Sequence, residues 1–197
     1  MTAAPIPPTP PLLIGLTAPA GSGKGTAARL LEEHYAFTAF ALADPLLDMA
    51  CVLASHVDVD GAWCVERELK EQPMPGLAVS YRQIAQGLGD WGRGVHREFW
   101  VEIAHHKLRQ ARTRGENVCV TDIRYPNEAA WLRAQGGVLV AIVRDGVPPV
   151  RHHSSEQFYD ELAPEHVWTN NQTCAYLLDQ IDQTIAELRT PTRGTAR

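Results

Sequence analysis

Cysteine is scarce in this sequence and never clustered. Cys51, Cys64, Cys119 and Cys174 stand far apart, with no Cys-x-x-Cys pair among them. That argues against a zinc site or a disulfide framework and for a reducing cytosol as the compartment. Long apolar runs are missing too: none approaches the ~20 residues of a membrane-spanning helix. Residues 1–11 are rich in proline and alanine and carry no lysine or arginine, so they read as neither a signal peptide nor an amphipathic transit peptide. Positive charge is not in excess. Lys and Arg number 18 against 23 Asp and Glu, a net charge of -5 and a pI near 5.9. No general field draws such a chain to nucleic acid or anionic lipid, so neither a membrane nor a stable nucleic-acid partner is expected. A small anionic substrate is still allowed, because only the local field of a cleft has to be positive. No internal repeat and no second domain are marked.

What is present is enough for one ordinary domain with a real core: 197 residues, 45% of them hydrophobic. Short apolar runs alternate with helical periodicity, the signature of an α/β fold with a parallel sheet. Residues 12–16 read as a buried strand, and Ala27, Leu30, Leu31 and His34 then recur on one helical face. Phe37–Ala43 reads as a second strand, followed by a helix from Pro45 to Ala54. Residues 56–97, with acids, glycines, prolines and arginines around a helix at Tyr81–Leu88, interrupt the pattern as a substrate-binding insertion would. Trp100, Ile103, Ala104, Leu108 and Ala111 mark the next helix. Asn117–Asp122 is an apolar strand ending in an acid, and a helix over Glu128–Gln135 precedes a strand at Val138–Val143. An arginine- and histidine-bearing loop over 144–157, a short strand at His166–Trp168 and a helix with Leu178, Ile181, Ile185 and Leu188 inward complete the pattern. The expected organisation is a single domain over 12–189 with loose tails at 1–11 and 190–197.

The first strand runs into Gly21-Ser22-Gly23-Lys24-Gly25-Thr26, which opens a helix. Phosphate binding needs backbone N–H groups turned inward, which glycine permits, and a helix N-terminus adds partial positive charge. A lysine then reaches the β- and γ-phosphates and a hydroxyl near the helix start serves Mg²⁺. Gly21, Ser22, Gly23, Lys24, Gly25 and Thr26 supply these parts in order, so a nucleoside triphosphate and Mg²⁺ are the expected ligands. Two departures from GxxxxGK[ST] stand out: Ala18 replaces the leading glycine, and Gly25 displaces the hydroxyl to Thr26. Asp122 ends an apolar strand where an acid would meet the Mg²⁺ shell; a strand-terminal Asp also serves as a plain turn residue.

The GKGT form resembles the adenylate-kinase-like variant of the loop. Beyond it, Ala43-Asp44-Pro45-Leu46, Lys70-Glu71, the Arg82–Gly89 segment, Phe99-Trp100, Asp122-Ile123-Arg124-Tyr125-Pro126-Asn127-Glu128 and His153-Ser154-Ser155-Glu156 follow in an order and spacing that resemble the phage-type deoxynucleoside monophosphate kinases. The resemblance runs from about Ile14 to Leu188. It implies a three-layer fold with a central parallel five-stranded sheet, a helical insertion and a short lid. The activity it implies is transfer of the γ-phosphoryl of ATP to a deoxynucleoside monophosphate. It sets Asp44, Arg82, Gln86 and Arg124 around the acceptor, matches Lys70 to a family position, and puts Arg144 and Arg151 in or beside the lid. Asp90-Trp91 stand where that family has a threonine after Leu88-Gly89.

The residues carry plainer readings beside these. Arg82, Arg93, Arg124, Arg144 and Arg151 fall on loops or helix starts, where transferring phosphates need converging charge, yet an arginine is by default a solvated surface residue. Lys70 can pair with Glu66 or Glu71, Asp44 can cap the helix at Pro45, and Glu128 can hold Arg124 in place. Trp100 recurs with the core face, and His152-His153 lack a third metal ligand at suitable spacing. Three other readings share the loop: a kinase for another phosphorylated acceptor, such as dephospho-coenzyme A or phosphomevalonate; a kinase for modified bases in DNA; and a non-catalytic nucleotide module. A monomer and a homodimer are both open.

Overall fold

The computed structural model describes residues 10–57, 59–66, 68–147 and 161–190. In chain order the first elements are β1 (Leu13–Thr17), α1 (Lys24–Tyr35), β2 (Phe37–Phe40), α2 (Asp44–Ser55), α3 (Ala62–Val65), a single 3-10 turn at Leu69–Glu71, and α4 (Tyr81–Val95). Then come α5 (Phe99–Thr113), β3 (Asn117–Val120), α6 (Pro126–Ala134), β4 (Val138–Val143), β5 (His166–Thr169) and α7 (Cys174–Arg189). These elements form two compact units. One holds the described residues up to Phe40 and from Lys107 onward; the other is Ala41–His106, which takes in the stretch 56–97.

The first unit is the α/β fold with the parallel five-stranded sheet that the sequence pattern implies. Its strand order is β2-β3-β1-β4-β5, every pairing parallel. Being central, β1 is buried at all of its residues, as a strand covered on both faces must be. Ile14 and Leu16 join Leu30 and Leu31 of α1 and Leu177, Ile181 and Ile185 of α7 in one core. On the opposite face of β1, Leu132 of α6 lies so close to Gly15 that a Cβ there would collide with it. The buried Trp168 indole donates to Thr184 Oγ1 at 2.9 Å, satisfying its polar atom. The connection leaving β1 runs toward the β2 edge, whereas those leaving its neighbours β3 and β4 run toward β5. Ligands of open α/β sheets bind at the carboxyl end of such a switch point.

The second unit packs α2 against α4 around Ala50, Ala54, Met74, Tyr81 and Ala85, with Leu46, Leu47, Ile84 and Leu88 beside them. A capping box starts α4: Ser80 Oγ accepts from the Gln83 N–H at 3.2 Å, and Gln83 Oε1 accepts from the Ser80 N–H at 2.8 Å.

Several boundaries differ from the sequence pattern, each for a local reason. The second strand stops at Phe40 because Asp44 Oδ2 takes the Ala41 N–H at 2.9 Å, turning the chain into α2. The strand at Asn117 stops at Val120, leaving Thr121 and Asp122 in a turn. The helix at Tyr81 runs on through its glycines to Val95. Trp100 lies against it, with Nε1 donating to the Gly89 carbonyl at 3.0 Å, and a Cβ at Gly92 would stand 2.6 Å from its ring. Gly92 is the position that accommodates the indole. Most of the expected lid, including Arg151, lies outside the described residues. Among the described residues no helix is long and apolar enough to cross a membrane.

Candidate active site

β1 delivers the chain to Ala18, and the next residues turn back to start α1. Gly21 and Gly23 have φ of 88° and 102°, a region in which a Cβ is strained and glycine is not. The Ser22 N–H donates to the Pro19 carbonyl at 3.2 Å and closes the turn. Gly23, the N-cap residue, has no side chain with which to cap α1, so the leading end keeps the partial positive charge that attracts phosphate. Ser22 is 1% exposed, and its Oγ has no hydrogen-bond partner among the described residues. Lys24 folds back over the turn, its Nζ donating to the Ala18 carbonyl at 2.5 Å. A Cβ at Gly25 would meet nothing within 4 Å, so the loop is open there. Thr26, half-buried, is the third residue of α1.

The acid expected at the end of β3 lies at the root of this loop. Gly15 of β1 pairs with Val120 of β3, the last residue of that strand, and Asp122 lies in the turn that follows. The Ile123 N–H closes that turn against β1, donating to the Leu16 carbonyl at 3.0 Å one residue beyond the strand register. Arg124 follows with an exposed side chain. Glu128 is buried, and its Oε2 accepts from the N–H groups of Arg124 at 2.7 Å and Tyr125 at 3.1 Å. The carboxylate thus grips the backbone that presents Arg124. Burial first, and then the charge of Asp122, push the Glu128 carboxyl up to about 7, against the pull of the two N–H groups and the Arg124 charge. Arg144, directly after β4, is exposed.

The remaining expected residues belong to the second unit. Arg82, Gln86 and Arg93 share a face of α4, being four and eleven positions apart. Arg82 pairs through Nε with Glu71, and Arg93 Nη2 pairs with Asp90 at 2.7 Å. Lys70 lies over the Tyr81 ring, 5.6 Å from its centroid. Asp44 is itself the first residue of α2, with Pro45 next, and its carboxylate folds back to Ala41. Trp91 is exposed and edge-on to Phe99, whereas Trp100 is buried.

Comparison with known proteins adds what geometry cannot. The family model for deoxynucleotide monophosphate kinase matches residues 69–181. A protein of Acanthamoeba polyphaga mimivirus that carries the name of a deoxynucleotide monophosphate kinase is 30% identical over 186 residues, 86% of this chain and 94% of its own. The chain belongs to the deoxynucleotide monophosphate kinase family. As a member it is an enzyme, a nucleoside monophosphate kinase. An uncharacterised protein, ORF77, of Ictalurid herpesvirus 1 (strain Auburn) is 33% identical over 104 residues, 51% of this chain and 46% of the viral one. Among solved structures, TT1252 from Thermus thermophilus is similar in fold, with a TM-score of 0.51 at 17% identity over 91% of this chain and 98% of that one.

The match to the family model begins beyond the phosphate loop, so in this kinase the loop is no part of what that model recognises. One residue beside the loop is not singled out by the sequence pattern. Asn170, just past β5, donates from Nδ2 to the Ser22 carbonyl at 2.9 Å. A signal for it exists: two amides, Asn170-Asn171, at the carboxyl end of a strand in a parallel sheet.

Proposed function

We propose that this kinase transfers the γ-phosphoryl of ATP to deoxynucleoside 5'-monophosphates, giving the diphosphates, by direct in-line displacement. The observation that carries the reading is the glycine-built loop at the carboxyl end of β1, with Lys24 across it and Asp122 at its root, in a chain of this family.

The residues present fit a magnesium nucleotide. Gly21 and Gly23 hold a concave backbone, the end of α1 is uncapped, and the buried Ser22 hydroxyl lacks a partner among the described residues. Asp122 and Thr26 would hold the metal, the phosphates supplying further oxygens, and Mg²⁺ when bound neutralises charge on the triphosphate. Gly21–Thr26 receive the donor phosphates through backbone N–H groups, and Lys24 leaves the Ala18 carbonyl for them. Asp44, Lys70, Arg82, Gln86, Arg93 and Arg124 bind and orient the acceptor, with Glu128 fixing the backbone under Arg124. An acceptor phosphate oxygen forms the new bond to the γ-phosphorus as the bond to the bridging oxygen breaks, leaving the diphosphates of both nucleotides. That oxygen is already ionised at neutral pH, so no general base is required and positioning does the catalysis. Arg144 and Arg151 complete the charge from the 144–157 segment, read as a lid over a single domain at 12–189 with 56–97 as the acceptor insertion. The cytoplasm, the host's if a virus encodes the chain, supplies both nucleotides.

Incubation with Mg-ATP and each deoxy- and ribonucleoside monophosphate in turn, with diphosphate as the readout, tests the reading. Turnover of one or more deoxynucleoside monophosphates is expected; none with any of them overturns it.

A further inference from the structure

We infer that Asn170 is a positioning residue for phosphate binding, acting through the Ser22–Gly23 peptide. The inference rests on the reading of Gly21–Thr26 as the donor-phosphate loop. Asn170 follows β5, and its own N–H donates to the Val143 carbonyl at 2.8 Å, tying it to the end of β4. From that anchored position Nδ2 donates to the Ser22 carbonyl at 2.9 Å. A carbonyl only accepts, so the amide nitrogen must be the atom that faces it.

The consequence lies on the other side of the same peptide. In a trans peptide the C=O and the following N–H point in opposite directions. Holding the Ser22 carbonyl toward Asn170 therefore turns the Gly23 N–H away from Asn170. Gly23, at φ 102°, immediately precedes the uncapped start of α1, so its N–H belongs to the donors a phosphate would meet. The half-buried amide sets the aim of a phosphate donor without touching the phosphate.

Glycine at 23 is required twice over. Its φ excludes most side chains, and a Cβ built there would fall on Asn170 Nδ2. The missing side chain is the space the amide occupies. Asn171 braces the neighbouring segment, its Oδ1 accepting from the Asp145 N–H at 2.7 Å, so the two adjacent amides act on different stretches of chain.

The test is calorimetric titration of the full chain with Mg-ATP and, separately, with a deoxynucleoside monophosphate. Asn170→Ala is expected to raise the Kd for Mg-ATP about tenfold, the range of one partly buried hydrogen bond, and to leave the monophosphate Kd within about twofold. Asn170→Asp, which sets a carboxylate against the carbonyl and near the phosphates, is expected to weaken Mg-ATP by about 100-fold. In a double-mutant cycle, Gly23→Ala and Asn170→Ala should be non-additive, because the alanine methyl and the amide compete for one space. Should Asn170→Ala fail to fold, Asn170→Ser takes its place in the cycle. An Mg-ATP Kd within twofold of the parent in both Asn170 variants, equal losses for both nucleotides, or strict additivity overturns the inference. The titrations need no turnover, so a protein that phosphorylated no deoxynucleoside monophosphate would still reveal whether Asn170 sets its affinity for Mg-ATP.

Discussion

The surroundings of the phosphate loop and the cations of the second unit are held in different ways. Around the phosphate loop, polar atoms are committed to backbone: Lys24 to Ala18, Glu128 to Arg124 and Tyr125, Asn170 to Ser22. In Ala41–His106, cations are paired with that unit's own side chains: Arg82 with Glu71, Arg93 with Asp90, Lys70 over Tyr81. The first arrangement is held by hydrogen bonds to backbone, around a turn whose two left-handed positions glycine fills without strain. The second consists of pairs that exchange readily, half-exposed and of modest worth. A site of the first kind is built before its ligand arrives; one of the second kind is finished by it.

Lys24→Ala breaks the comparison at its strongest point. With the backbone cradle intact but the lysine charge gone, kcat/KM for diphosphate formation should fall by about 1000-fold or more. The thermal midpoint should shift by no more than ~2 °C, because the Ala18 carbonyl that Nζ bonds belongs to a half-exposed loop. Near-parental activity would mean that the loop does not meet the transferring phosphates.

The same contrast explains which features are legible in the sequence. Strands at Leu13 and Val138 and the loop between Gly21 and Thr26 are legible because each is dictated locally, by apolar runs and by glycines at turn positions. Asp122 is legible as an acid at the end of a buried run. Asn170 is not, because it lies 148 residues from Ser22 and only the parallel pairing of β4 with β5 sets it beside the loop. The extension of α4 is hidden for a related reason: Trp100, later in the chain, packs on Gly92 and bonds the Gly89 carbonyl, contacts that glycine-rich sequence alone does not announce. In the second unit Lys70 leaves two acids open as partners, and the structure gives Glu71 to Arg82 and sets Lys70 on an aromatic face instead.

Glu128 sharpens the comparison through pH. Its folded carboxyl is raised from 4.5 to about 7 by burial and by Asp122, so the folded state prefers it protonated. Its contribution to stability is therefore full below about pH 4.5 and lost as pH rises through 7. Glu128→Gln keeps a carbonyl acceptor for the two N–H groups and abolishes the titration. In urea unfolding of nucleotide-free protein, the variant should gain on the parent between pH 5 and pH 8, by about 3 kcal/mol at most. A stability difference independent of pH would mean that Glu128 is not held in the buried, pre-built manner of the loop.

Arg82 tests the second unit. Replacing it with alanine should raise the Kd for the acceptor monophosphate about 30-fold, the worth of a charge-assisted phosphate contact, with Mg-ATP affinity unchanged. The finer experiment is Glu71→Gln. The two side chains are 42% and 55% exposed, so their pairing contributes less than about 1 kcal/mol to stability and its loss should barely move the unfolding midpoint. If Glu71 competes with the acceptor phosphate for the guanidinium, removing its charge should lower the monophosphate Kd by about two- to fivefold. The gain should shrink as salt screens the pair. If Glu71 instead orients Arg82 for the substrate, the Kd rises, and the acceptor side is as pre-built as the phosphate loop. The sign of that small change separates a unit whose cations are borrowed from its own acids from one whose acids aim them.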